Sequence, residues 1–237
     1  AREIQLGTLP ESMPQIPGYE VAGISRPASE TGGDSFDAFT APSGVLVLLL
    51  ADATRHGLGP ALSVTQVRSM LRVSSRLGSG LDETFRNIND QLSEDLQPHR
   101  FVTAFLGFLD PESHRLRYHA AGQGPLFHVR HRSRTTDRLR ATFMPLGILP
   151  LQNMVPAHEV VLETGDLFAL VTDGVFEATT PDGEEFGEER VQEILLASEG
   201  LSCSDVVTQI LEAVDEFTGD LPQDDDITIV LVRRTQD

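Results

Sequence analysis

GVLVLLLADATRHGLGPAL, residues 44–62, decides how this chain folds. Its run of seven apolar residues, 45–51, is too short to cross a bilayer and rich enough in Val and Leu for a strand buried on both faces. The run stops at a carboxylate, Asp52. A buried strand delivers the residue at its end to a fixed place, so a charge there either caps the following turn or holds a cation. The turn 53–57 ends in Gly57, and Pro60 suits the first turn of a helix that carries Leu62, Val67, Met70 and Leu71 on one apolar face. Strand, acidic tip, turn and helix together place functional groups on rigid supports.

Around this stretch, the 237 residues read as one large domain, because no Gly/Ser- or Pro-rich linker divides them. Residues 1–17 are poor in apolar side chains and carry Pro10, Pro14 and Pro17, so they form a lead-in, with 1–6 as the end of an upstream linker helix. The domain proper is expected over 18–237. Thirty-six acidic against 18 basic residues give a net charge of −18, which repels nucleic acid and anionic membrane surfaces. A single cysteine, Cys203, excludes an internal disulfide and a Cys-based zinc site and fits a reducing, cytoplasmic compartment. No stretch reads as a signal peptide or a transmembrane helix.

In chain order, 19–24 alternates as a strand and 35–40 is another, with TGGD (31–34) between them. Residues 81–96 place Leu81, Phe85, Ile88, Leu92 and Leu96 at helical spacings. Segments 101–109, 116–120 and 125–129 read as three strands of an antiparallel meander. The tract RHRSRTTDRLR (130–140) holds five Arg against one Asp and is expected as an exposed hairpin, either a solvated loop or a patch that steers an anionic partner. Strands 159–163 and 167–172 flank a Gly165-Asp166 turn. Helices follow at 188–197 and 204–217, the second capped by Ser202 or Ser204, and a strand closes the chain at 227–232.

Four acidic sites share one property: each abuts a strand or its turn. They are Asp34 in GGD, Asp52 in LLLAD, Asp173 in ALVTD and Asp224 to Asp226 in DDDIT. A lone Asp in such a place is an ordinary turn or cap residue. Strands of one sheet, or of two stacked sheets, bring such ends together, and unpaired carboxylates then repel one another unless a cation joins them. All-oxygen ligands suit Mg²⁺ or Mn²⁺ rather than Zn²⁺. Two divalent ions sharing a carboxylate activate water and stabilise charge on a transferred phosphoryl group.

With these residues in view, the chain resembles the PPM family of metal-dependent Ser/Thr protein phosphatases, in its SpoIIE-type branch with the RsbU-like regulators. The likeness runs from about Ile4 to Arg233 and rests on ordered motifs. TGGDSFD (31–37) is similar to G-G-D-x-x-D, DATRHG (52–57) to D-x-S-G-H-G, FVTA (101–104) to F-x-T and AGQ (121–123) to A-G-H. TDGVFE (172–177) and DDIT (225–228) match T-D-G-x-x-E and D-D-x-T. The resemblance implies an α+β fold: an α-β-β-α four-layer sandwich of two stacked antiparallel sheets flanked by helices, with a two-metal site at one edge. It implies that Asp52 bridges two divalent ions, Mn²⁺ or Mg²⁺, that the carbonyl of Ala53 binds the second, and that Asp173 and Asp225 complete the first. Asp34 lies near the second ion, mostly through water, with Asp37 and Asp226 as neighbours. The implied catalytic set is Asp52, Asp173 and Asp225.

Three positions depart from the pattern. Arg55 stands where the family has Gly; it either brings a guanidinium to the substrate phosphate or marks an altered, less active loop. Pro60 replaces a frequent Ala, and Gln123 replaces a His but still hydrogen-bonds. His56 is kept and reads as a packing residue of the turn. The function implied is hydrolysis of phosphoserine or phosphothreonine on a bacterial regulatory protein, a STAS-type anti-sigma-factor antagonist, under the control of an upstream sensory domain. A homodimer is compatible with that picture; nucleic-acid and membrane partners are not. The alternatives are a catalytically weak member of the fold that only binds a partner and, from GGDSF (32–36), a GGDEF-like nucleotide cyclase.

Overall fold

The computed structural model describes residues 2–54, 57–153 and 156–235. One antiparallel sheet runs in the order β1 (Tyr19–Arg26), β10 (Ile227–Arg234), β9 (Leu167–Val171), β6 (Leu126–Arg130) and β7 (Thr135–Leu139). The other runs β2 (Asp34–Thr40), β3 (Leu46–Ala53), β4 (Val102–Asp110), β5 (Arg115–Ala121) and β8 (His158–Val161). Helices α2 (Leu58–Leu77) and α3 (Leu81–Asp95) cover the β3 sheet, and α4 (Asp173–Phe176), α5 (Gly187–Ala197) and α6 (Cys203–Thr218) cover the other. A short helix, α1 (Arg2–Leu6), precedes them.

Strand alternation explains the layering. In β3, Leu46, Leu48 and Leu50 point into the core between the sheets, while Val47, Leu49 and Ala51 point outward against α2 and α3. Both faces are therefore apolar, and the strand reads as a continuous run. In β9 and β10 the same division sends Phe168, Leu170, Val230 and Val232 between the sheets and Ala169, Val171, Ile229 and Leu231 toward α6. The expected α-β-β-α sandwich is present.

Helix ends follow local chemistry. Gly78 closes α2 in the left-handed region, where L side chains are strained, and its N–H bonds the carbonyls of Ser74 and Ser75. Ser202 caps α6 in a reciprocal box with Asp205.

Three expectations are corrected. The segment 125–129 does not complete a meander with its predecessors: β4 and β5 pair, but β6 lies in the other sheet between β9 and β7. The chain crosses over through 122–125, where Gly122 has φ +69° and a Cβ would lie 2.6 Å from Pro145. Likewise β8 and β9 flank the Gly165 turn but belong to different sheets. Leu62 is 61% exposed, whereas Val67 and Leu71 are fully buried, so the apolar face of α2 turns away from Leu62. The arginine tract does form an exposed hairpin, β6–β7, and three of its five arginines meet acidic partners: Arg130 with Asp137, Arg134 with Glu199, Arg138 with Glu188 and Glu189. Among the described residues, no helix is long and apolar enough to cross a membrane.

This placement separates two leucines of one helix. Leu71→Ala removes a fully enclosed side chain and is expected to cost about 2–5 kcal/mol, while Leu62→Ala stays within about 0.5 kcal/mol. Urea unfolding of the two variants checks this; equal costs contradict the assigned face.

Candidate metal centre

The row of β3 side chains facing the inter-sheet core, Leu46, Leu48 and Leu50, continues into Asp52, and the corresponding row of β2, Ala38 and Phe36, continues into Asp34. The register sets Asp34 directly opposite Asp52. On the facing sheet the row Phe168, Leu170 ends at Thr172, with Asp173 opening α4, and the row Val232, Val230 ends at Thr228 and Asp226. Apolar alternation thus carries these polar groups to one edge of the sandwich. Ala53 turns the other way, into the core under α2.

Asp226 joins the two sheets there. Its carboxylate accepts from the N–H of Gly33 at 2.5 Å, Asp34 at 3.3 Å and Ala28 at 2.7 Å. The approach leaves no room for side chains: a Cβ on Gly32 would lie 2.7 Å from Asp226 Oδ2, and one on Gly174 would lie 2.1 Å from the Asp226 carbonyl oxygen. The same Gly32 is held from behind by Gln5 of α1, whose amide donates to its carbonyl at 2.7 Å and accepts its N–H at 3.1 Å. Asp226 therefore positions the loop that carries Asp34, while Asp225 accepts the Asp226 N–H at 2.8 Å.

The electrostatics are those of crowded carboxylates. Burial, then Asp52, raises the Asp34 carboxyl well above its ordinary value, with the Thr228 and Thr172 hydroxyls opposing the shift. Burial, then Asp173, Asp225 and Asp226, raises Asp52 from 3.8 to about 7. The buried Oδ2 of Asp34 has no hydrogen-bond partner. Like charges directly opposite on a ladder destabilise it, and an orphaned buried oxygen is costly. A divalent cation relieves both, so the residues fit one. Among the described residues no three His, Cys, Asp or Glu side chains form a ready-made cage; Mg²⁺ commonly keeps several waters and takes one or two carboxylates.

Asp34, Asp52, Asp173, Asp225 and Asp226 are brought together. Asp37 is not, because it is one residue out of phase with Asp34 and faces α2, where Arg68 Nε at 2.9 Å and Arg72 at 2.6 Å take its carboxylate. Its place in the motif is a structural one, tying β2 to α2. Arg55 and His56 lie outside the described residues. Gln123 is buried and spans the sheets: its carbonyl accepts from Thr103 Oγ1 and its amide donates to the Val171 carbonyl, both at 3.3 Å. Thr103 Oγ1 also lies 3.3 Å from the Asp52 carbonyl. Reasoning on carboxylates missed Thr103, Thr172 and Thr228, although each sits in a motif of the sequence: FVT, TDG and DDIT.

A pH dependence follows. Between its unfolded value near 3.8 and its folded value of about 7, Asp52 binds a proton in the native chain that the unfolded chain has released. Its contribution to stability is therefore full below that window, falls as pH rises through it and is lost above. With EDTA present, the melting temperature of wild type minus that of Asp52→Asn is expected to fall as pH rises from about 4 to about 7. A difference that is flat or rising contradicts the placement.

Comparison with known proteins agrees with the fold. The family model for Stage II sporulation protein E (SpoIIE) matches residues 42–235. Protein IcfG of Synechocystis sp. is 28% identical over 98% of this chain and 40% of its own length. Phosphoserine phosphatase RsbU of Bacillus subtilis is 25% identical over 99% of this chain and 69% of its own length. The chain thus spans less than half of the first relative and about two thirds of the second. Among solved structures, the RsbU and RsbW domains of a Mycobacterium tuberculosis protein superpose with a TM-score of 0.78 at 25% identity, covering 94% of this chain and 62% of that one.

Proposed function

The chain belongs to the SpoIIE family, a branch of the PPM serine phosphatases, and from that premise we propose that it is a metal-dependent protein phosphatase acting on phosphoserine or phosphothreonine. The observation that carries the reading is the pair Asp34 and Asp52, opposed across β2 and β3 at the mouth of the sandwich, with Asp173 and Asp225 reaching the same place from the other sheet. Asp52 is proposed as the ligand shared by two divalent ions, Mn²⁺ or Mg²⁺, with the Ala53 carbonyl, Asp173, Asp225 and, through water, Asp34 as the remaining groups. Such ions supply positive charge for the phosphoryl oxygens and acidify water.

The chain's own residues do the rest. Asp226 holds the backbone of Gly33 and Asp34. Thr103 meets the Asp52 carbonyl and is itself held by Gln123, so the amide that stands in place of the family's His has a structural job, which weakens the case for an inactive binding module. Arg55 is proposed to grip the substrate phosphate. The substrate protein proposed is a STAS-type anti-sigma-factor antagonist in the cytoplasm. Family membership removes the nucleotide-cyclase alternative.

Hydrolysis of p-nitrophenyl phosphate tests this. Activity is expected with Mn²⁺ and not with EDTA; Asp52→Asn, Asp173→Asn and Asp225→Asn each lose about a hundredfold or more, Asp224→Asn loses little, and Arg55→Gly raises KM. Mn²⁺ also raises the melting temperature of wild type more than that of Asp52→Asn. An Asp52→Asn enzyme within a few-fold of wild type in saturating Mn²⁺ overturns the assignment of Asp52.

A further inference from the structure

Beside the metal centre lies a cleft of about 580 Å³ that shares Gly174 and Asp225 with it. Its walls are the end of α4 with Glu177 to Thr179, the last turn of α6, and the loop 219–225. Its volume falls in the range of ligand pockets, about 300–1,000 Å³. The lining combines two chemistries. Leu221 offers exposed apolar surface, with the buried Val214 and Ile227 behind the wall. Glu177, Asp215, Asp224 and Asp225 offer four carboxylates against one guanidinium, that of Arg26.

That guanidinium is already engaged. Arg26 donates to both oxygens of Asp215, at 2.8 and 2.9 Å, and through Nε to Gln223 at 2.7 Å. Gln223 in turn donates to the carbonyls of Arg26 and Asp225, at 2.7 Å each. These bonds fix the loop as a preformed wall and pair one carboxylate with the only basic side chain among the described lining residues. With Asp225 given to the metal centre, Glu177 and Asp224 still leave the cleft net negative, in a chain whose net charge is −18.

We propose that this cleft receives the polypeptide segment flanking the phosphorylated residue, and that it selects flanks carrying an Arg or Lys next to an apolar side chain. The proposal rests on the phosphatase reading for what enters the metal centre; the charge and the continuity of the cleft with that centre carry the rest. Because the cleft shares Asp225 and Gly174 with the metal centre, residues next to a phosphoryl group held there would lie at its mouth. An acidic flank there meets like charge, and a basic flank meets carboxylates beside the exposed Leu221.

The test measures binding apart from turnover. Two labelled peptides carrying a non-hydrolysable phosphonate in place of phosphoserine, identical except for Arg or Glu in the flanking segment, are titrated with wild type and with Asp224→Arg in Mn²⁺ by fluorescence anisotropy. The Arg peptide is expected to bind wild type about tenfold more tightly than the Glu peptide, and Asp224→Arg to narrow the ratio to about twofold. The preference also shrinks in high salt. No preference in wild type, no binding, or a preference that survives Asp224→Arg overturns the cleft assignment. Hydrolysis of p-nitrophenyl phosphate by the same wild-type sample reports on the phosphatase reading separately: a preference without hydrolysis sinks that reading and leaves the cleft standing.

Discussion

The carboxylate of Asp226 reaches from the start of one sheet's β10 to the backbone N–H groups of Gly33 and Asp34 at the start of the other sheet's β2. Hydrophobic contact between two sheets packed through Leu, Val and Phe is non-directional, so polar links at the edge, Gln123 between Thr103 and Val171 among them, set their relative position there. A buried carboxylate accepting several backbone donors supplies that direction. The glycines follow from it: Gly32 and Gly174 both face Asp226 at distances that exclude a Cβ. So does the position of Asp34, whose own N–H is one of the donors.

This arrangement gathers negative charge where a globular protein tends to avoid it. Asp34 and Asp52 face each other across a ladder, Asp173 and Asp225 add to their repulsion, and the Asp34 Oδ2 atom is left without a partner. Strain of this kind persists when the surrounding structure over-determines it, and it clusters at functional sites. Here the surroundings are β3, β9 and β10, whose side chains on both faces are buried. The contrast with Asp37 is instructive. That carboxylate is as buried as any in the chain, yet it meets Arg68 and Arg72 and needs no cation.

Much of this was legible in the sequence because it is local. The apolar run 45–51 closed by Asp52, the acidic ends of three other strands and the helical spacing of 81–96 each depend on residues a few positions apart. Sheet membership is not local: β6 and β8 read as neighbours of the strands that precede or follow them, but the crossovers at 122–125 and around Gly165 send consecutive strands to opposite sheets. The apolar face of α2 was misplaced at Leu62, where a leucine stands on the solvent side of an otherwise regular helix. Asp37 shares a motif with Asp34 but faces the other way, and the motif does not show that Arg68 and Arg72 of α2 take its carboxylate. The threonines that support the site do not stand out in the sequence, because a hydroxyl carries no charge.

Asp52 is proposed as the ligand that two divalent ions would share. Electron paramagnetic resonance of the protein loaded with Mn²⁺ tests it directly, because two manganese ions joined by a common carboxylate are exchange-coupled. The predicted result is a coupled dinuclear spectrum in wild type that is lost in Asp52→Asn. Isolated mononuclear Mn²⁺ signals in wild type at saturating metal, or a coupled spectrum that survives the substitution, would contradict it.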